Sequence, residues 1–207
     1  MIGQTADEMD TPALLIDLDV MERNLSRMAD FFRGAKAGLR AHTKVHRCPV
    51  LAHRQVKAGA KGICCQKVGE AEVMAEAGIG DIIVTNQIVT PLKIRRLLAL
   101  AGLSRITVPV DDPGNANLLS RMAEKAGVKL DVLVDVHMGS QRCGVEPGRP
   151  AVKLANRVRK LKGLRLRGLM GFEGHISWVM PREKRREECE KLESKLIETR
   201  RMLEREN

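Results

Sequence analysis

Two hydrophobic rhythms alternate along most of the chain. Segments whose apolar residues recur every three or four positions, such as Met21, Leu25, Met28 and Phe32, give way to short aliphatic runs such as 81-DIIV-84 and 130-LDVLV-134. The first rhythm is that of a helix buried on one face, the second that of a strand in a covered sheet. The junctions are punctuated in one way: 58-AGAKGICC-65, 77-AGIGDIIV-84, 101-AGLSRITV-108, 126-AGVKLDVLV-134 and, more loosely, 162-KGLRLRGLM-170. In each, Gly59, Gly78, Gly102, Gly127 or Gly163 follows a helical segment by the spacing of a C-terminal helix cap and precedes a strand. The repeating unit is helix, glycine, strand.

Helix starts fit the same unit. Asp19 and Glu22 have the spacing of a capping box, and Pro49 and Pro91 stand where a first helical turn tolerates a missing N–H. The pattern predicts strands near 39–45, 62–67, 81–85, 105–110, 130–137 and 164–172, each followed by a helix. Strands joined by single helices run parallel, so the expected fold is α/β: a (β/α) barrel or an open doubly wound sheet. About six βα units are predicted, against the eight that close a barrel. The last helix carries Cys189, Leu192, Leu196, Thr199 and Leu203 on one stripe, expected to cover the sheet.

Composition narrows the function classes. At 207 residues the chain is expected to form one domain around one core. Aromatic residues make up 2% and tyrosine is absent, which argues against a base-stacking surface. The formal charge of +10 suits an anionic partner. Its densest stretch, 181-PREKRREECEKLESKLIETRRMLEREN-207, interleaves Glu with Lys and Arg at helical spacing, as a solvated helix face does; no nucleic-acid partner is expected. Five cysteines without a C-x-x-C pair fit a reducing, cytoplasmic setting. The polar start and the lack of a long apolar window predict neither a leader nor a membrane partner.

In parallel α/β folds chemistry gathers where strands end, and here those ends read HTKVHR, CQKVGEAE, VTNQ, VDVHMGSQRCGV and GFEGH. In 38-GLRAHTKVHRCP-49, Arg40, His42, Lys44 and His46 fall at every second position, so on a strand they share one face. Such crowding disfavours the Lys44 ammonium form, and a neutral amine attacks carbonyls; the alternative is a surface lysine on a basic edge strand. His42 and His46 make a poor metal chelate without a third ligand. Arg142, between Gly139 and Gly144, is placed to reach a phenolate or carboxylate, or else marks an exposed turn. Gln66 and Asn86 are amides able to orient a ring or to cap a loop.

The series 11-TPALLIDLDVMERN-24, 40-RAHTKVHR-47, 65-CQKVGEAEVMAEAGIGDIIVTN-86, 139-GSQRCGV-145 and 168-GLMGFEGH-175 resembles, in order, the N-terminal barrel of the D-threonine aldolase and D-serine dehydratase-like enzymes. These are pyridoxal-phosphate proteins of the alanine racemase fold. The resemblance implies that Lys44 carries pyridoxal 5'-phosphate as a Schiff base, with His42, Gln66, Arg142 and Phe172 around the cofactor. It implies retro-aldol cleavage of a D-β-hydroxy amino acid to glycine and an aldehyde; β-elimination of D-serine, or a barrel that binds the cofactor without turnover, are the alternatives. Phe172 departs from the usual Tyr, His137 from an acidic or amide residue, and Val45 from a Thr. The family's phosphate cradle, its metal-binding pair for manganese or zinc, and its C-terminal β-domain have no counterpart in these 207 residues, so no metal ligand is assigned here. The complete enzyme is expected to be a homodimer, and residues 1–207 an incomplete barrel domain.

Overall fold

The structure, a computed structural model, describes residues 5–206. Six parallel strands form one sheet: β1 (Arg40–His42), β2 (Gly62–Cys65), β3 (Asp81–Val84), β4 (Arg105–Val110), β5 (Leu130–Val136) and β6 (Leu164–Gly171). Their spatial order is their order in the chain. Crossovers of one hand that always step the same way put every connecting helix on one face of the sheet, whereas a doubly wound sheet reverses its order midway. The alternatives left by the hydrophobic pattern resolve to an arc of a (β/α) barrel.

The connecting helices are α2 (Pro49–Lys57), α3 (Val68–Glu76), α4 (Pro91–Ala99), α5 (Pro113–Lys125) and α6 (Arg149–Arg159), with α1 (Leu18–Arg33) before β1 and α7 (Arg182–Arg205) after β6. Proline opens α2, α4 and α5, where its missing N–H has no helical partner in any case. Gly59, Gly78 and Gly127 have positive φ just beyond α2, α3 and α5, as the spacing predicts. Gly102 and Gly163 differ: Gly102 closes a 3-10 turn (Leu100–Gly102), and Gly163 leaves room for the Ser120 backbone.

The core lies between sheet and helices. Register aligns Ile63, Ile82 and Ile106 across β2–β4, and they join Val108, Val132 and Val134 in one buried cluster with Met74, Ile94, Leu97, Leu119 and Val158 from the helices. Each such side chain contributes about 1.5–3 kcal/mol by leaving water. The opposite, concave face carries Cys64, Asp81, Ile83, Arg105, Asp131 and Leu133 by alternation. Helix α7 covers the end of the arc, burying Thr199 and Leu203 of the predicted stripe, while Arg186–Glu190 and Arg200–Glu204 pair on its solvent side.

Helix α1 departs from its expected start. Its N-cap is Asp17, which accepts a hydrogen bond from the Val20 N–H at 2.9 Å; Asp19 lies inside the first turn and Glu22 pairs with Arg54. No residue of α1 is buried. Its stripe of Met21, Leu25, Met28 and Phe32 lines a groove of about 990 Å³ beside β1. Among the described residues no helix is long and apolar enough to cross a membrane.

Candidate functional site

The polar strand ends converge along the C-terminal rim of the sheet, and the end of β1 is built differently from the expectation. The strand stops at His42, paired with Cys64, and Thr43–Val45 form a 3-10 turn capped by His42. The four cationic positions therefore do not share a strand face. Arg40 lies at the far end, where its guanidinium makes two hydrogen bonds to Asp81 at 2.9 and 2.8 Å, passing over Gly62, where any Cβ would collide with it. His46 Nδ1 accepts from the Cys48 N–H at 3.0 Å and its Nε2 lies 3.3 Å from Gln55 Oε1. The physical reason is the tight turn: buried Thr43 donates its hydroxyl to the Cys64 carbonyl at 3.0 Å, which draws the chain out of the extended conformation.

This turn presents Lys44 to solvent at the rim. His42 holds it in place: Nδ1 accepts from the Lys44 backbone N–H at 3.3 Å, and Nε2 lies 3.2 Å from Thr85 Oγ1 at the end of β3. Burial, and then the charge of Lys44, lower the His42 pKa from its usual value, with Glu70 partly opposing them. A neutral imidazole is what this geometry requires, because Nδ1 must accept.

Glu70 joins two of the loops, a role that the sequence pattern alone did not disclose. Its carboxylate is buried; Oε2 accepts from the Gln66 N–H at 2.8 Å and Oε1 lies 3.2 Å from Arg47 Nε. Arg47, directly after the lysine turn, sits at φ 51, a region that costs a non-glycine residue energy and persists only when its surroundings hold it. Gln66 leaves its side chain exposed. Asn86 does not face the rim as a free amide: its Nδ2 donates to the Gln66 carbonyl at 2.7 Å.

Arg142 lies on the loop after β5, which Val145 closes by pairing beside Val136. Gly144 (φ 101) permits the closure, since a Cβ there would lie 2.6 Å from the His137 nitrogen. Gln87 Nε2 donates to Asp111 Oδ2 at 3.1 Å and to Asp135 Oδ2 at 2.8 Å, while the Gly144 N–H donates to Asp111 at 2.9 Å and Cys143 Sγ lies 3.4 Å from Asp135. Burial raises the Asp135 pKa and Asp111 adds to it, against hydrogen bonds from Cys143 and Gln87 and the charge of Arg142. The result is a latched loop that sets the Arg142 guanidinium over the Phe172 ring, 4.5 Å from its centroid, at cation–π distance. His137 accepts from the Gln141 N–H at 3.1 Å and so belongs to the loop's own scaffold.

Two donor sets bear on metal binding. His42 and His46 bond to different neighbours and form no pair. Asp111, Asp135 and Cys143 bring ligand atoms within 4.8 Å of one another, but Gln87 and Gly144 already engage both carboxylates as part of the latch. For a carbonyl cofactor the fit is better: an exposed primary amine on a pinned turn and, on the same rim, a fixed guanidinium over an aromatic ring.

Comparison with known proteins agrees with this architecture. Residues 16–204 match the model for the alanine racemase N-terminal domain. The chain is 40% identical over 187 residues to a D-threonine aldolase of Arthrobacter sp., covering 90% of this chain and 49% of that protein. It is 37% identical over 174 residues to a 3-hydroxy-D-aspartate aldolase of Paracoccus denitrificans, covering 83% and 45%. The crystal structure of D-threonine aldolase from Filomicrobium marinum superposes with a TM-score of 0.94 at 42% identity, over 96% of this chain and 54% of that one. The chain thus spans about half the length of the relatives it matches. With its sequential parallel arc and a lysine turn at the end of the first strand, the chain belongs to the alanine racemase N-terminal domain family.

Proposed function

We propose that this chain supplies the cofactor-bearing half of a pyridoxal-phosphate-dependent lyase that cleaves D-β-hydroxy amino acids of the D-threonine type to glycine and an aldehyde. The observation that carries the reading is the Lys44 turn, pinned by His42 and Thr43 with its amine left exposed at the rim. Identity of 40% to a D-threonine aldolase supports the substrate class.

Pyridoxal phosphate supplies an electron sink for the bond that breaks. Lys44 would hold it covalently through Nζ, and His42 orients the lysine by fixing the turn. Arg142 would donate hydrogen bonds to an oxyanion on the ring, held for that task by the Gln87 latch and by Phe172. Phe172 offers an apolar face and no proton, so any proton moved at this position belongs to another group. Gln66 lies on the same rim with its backbone clamped by Glu70. The manganese or zinc expected of the complete enzyme receives no ligand from this chain in the proposal.

The test is chemical. After incubation with pyridoxal phosphate and reduction with borohydride, peptide mapping should place the label on Lys44, and Lys44→Ala should abolish it. Stable labelling of a different lysine, or an unlabelled Lys44, overturns the assignment.

A further inference from the structure

A buried carboxylate is tied to the lysine turn. Glu70, in the first turn of α3, is only 7% exposed. An acid at this position commonly serves the positive end of its own helix from the solvent side. This one is turned inward, reaching back past the cap position Lys67, which makes no side-chain cap bond, to the Gln66 N–H at 2.8 Å. The Gln66 carbonyl is held in turn by Asn86 at 2.7 Å. The loop after β2 is thus fixed through both backbone groups of one residue.

The other oxygen is less well served. Oε1 is buried without a hydrogen bond, and its neighbour is the Arg47 guanidinium, with Nε at 3.2 Å. Burying a charge with an incomplete set of hydrogen bonds is costly. Across the contact, Arg47 holds φ 51, which is also costly in a residue with a Cβ. Two unfavourable features meet at one ion contact, and the segment it secures carries the amine. The His46 and Arg47 N–H groups both donate to the Thr43 carbonyl, at 3.1 and 2.7 Å, closing a loop around Lys44. Thr43 fixes the entry to that loop through the Cys64 carbonyl, and the Arg47–Glu70 contact fixes its exit.

We propose that Glu70 is a positioning residue for Lys44: its carboxylate anchors Arg47, at the exit of the turn, to the Gln66 loop and so fixes where the lysine amine stands relative to the end of β2. The Glu70 charge also reaches the turn through space, where it opposes the lowering of the His42 pKa. The role rests on the lyase reading, which makes Lys44 the reacting amine, whereas the anchoring itself needs no cofactor.

The first variant is Glu70→Gln in the full 207-residue chain. Its amide oxygen can still accept from the Gln66 N–H, but the charge that holds Arg47 is gone. The circular dichroism of the parent should be kept, while hydrogen exchange at the His46 and Arg47 amides becomes at least about tenfold faster and that of β3–β5 is unchanged. Reductive labelling of Lys44 by pyridoxal phosphate should slow about tenfold or more. The His42 ring should titrate at lower pH than in the parent, because a charge that raised its pKa has been removed. Arg47→Gly is the second variant. Glycine accepts φ 51 without penalty, so this chain stays folded even if Glu70→Gln does not, and it should show the same faster turn exchange and slower labelling. Turn amides that exchange at the parental rate, faster exchange spread evenly over all six strands, or parental labelling of Lys44 in a loosened turn overturns the proposal. If Lys44 of the parent takes no label, the lyase reading fails, and exchange and the His42 titration still decide whether Glu70 anchors the turn.

Discussion

His42 faces two ways, accepting from the Lys44 N–H and contacting Thr85 across β2, and both contacts suit a neutral ring. Burial and the nearby lysine depress its pKa below the usual 6.5. For a histidine depressed in the fold, the unfolded chain takes up the proton first, so stability is complete above about pH 6.5 and falls as pH drops toward the folded pKa. An NMR titration should place the His42 ring below 6.5, and His42→Ala should remove its share of that slope in pH-dependent urea melts; a ring titrating at or above 6.5 contradicts the account. Cys65, by contrast, stays protonated at neutral pH because burial pushes its thiol up to about 11. The identities of Lys44 and Arg142 were legible as strand-end residues. The pairing of Glu70 with both Gln66 and Arg47 was not, since contacts between neighbouring loops leave no periodicity in the chain.

At the scale of elements, α7 divides its apolar residues between a covering stripe and the solvent side. Leu203 is 5% exposed against the core, whereas Ile197 is 42% exposed. Leu203→Ala should therefore lower stability by about 2–4 kcal/mol through lost burial and a residual cavity, and Ile197→Ala by less than about 1 kcal/mol. Chemical denaturation of both variants checks this; equal effects would mean that α7 does not pack on β6 as described. Helix α1 offers the opposite case. Its stripe was evident in the sequence, but its cap is Asp17 rather than Asp19, because aspartates flank the first helical residue Leu18 on both sides and only the direction of the incoming chain selects between them. The first strand was overextended for a related reason: alternating polar residues continue past His42, while the hydroxyl of Thr43 turns the backbone aside.

For the whole molecule, the open edges govern behaviour in solution. Exposed parallel edges invite pairing with another chain, and a groove flanks each of them here, lined by Met21, Leu25 and Phe32 beside β1 and by leucines interleaved with arginines beside β6. Sedimentation of the chain alone should show species heavier than monomer that dissociate at low concentration. A compact monomer at all concentrations, melting cooperatively, would mean that the edges are covered in some other way.

The repeat of helix, glycine and strand by itself determined the parallel α/β class, the six units and nearly every strand position, because periodicity and helix caps are local properties written residue by residue. It also placed Lys44, Gln66 and Arg142 at strand ends. The tertiary structure decided the rest. Sequential strand order selected the barrel arc over a doubly wound sheet. The Thr43 turn set Lys44 apart from Arg40, and the Gln87 latch through Asp111 and Asp135 positioned Arg142 over Phe172. Each of these depends on which strands lie side by side, and the contacts involved join residues from about 20 to nearly 50 positions apart, separations at which hydrophobic patterning carries no information about pairing.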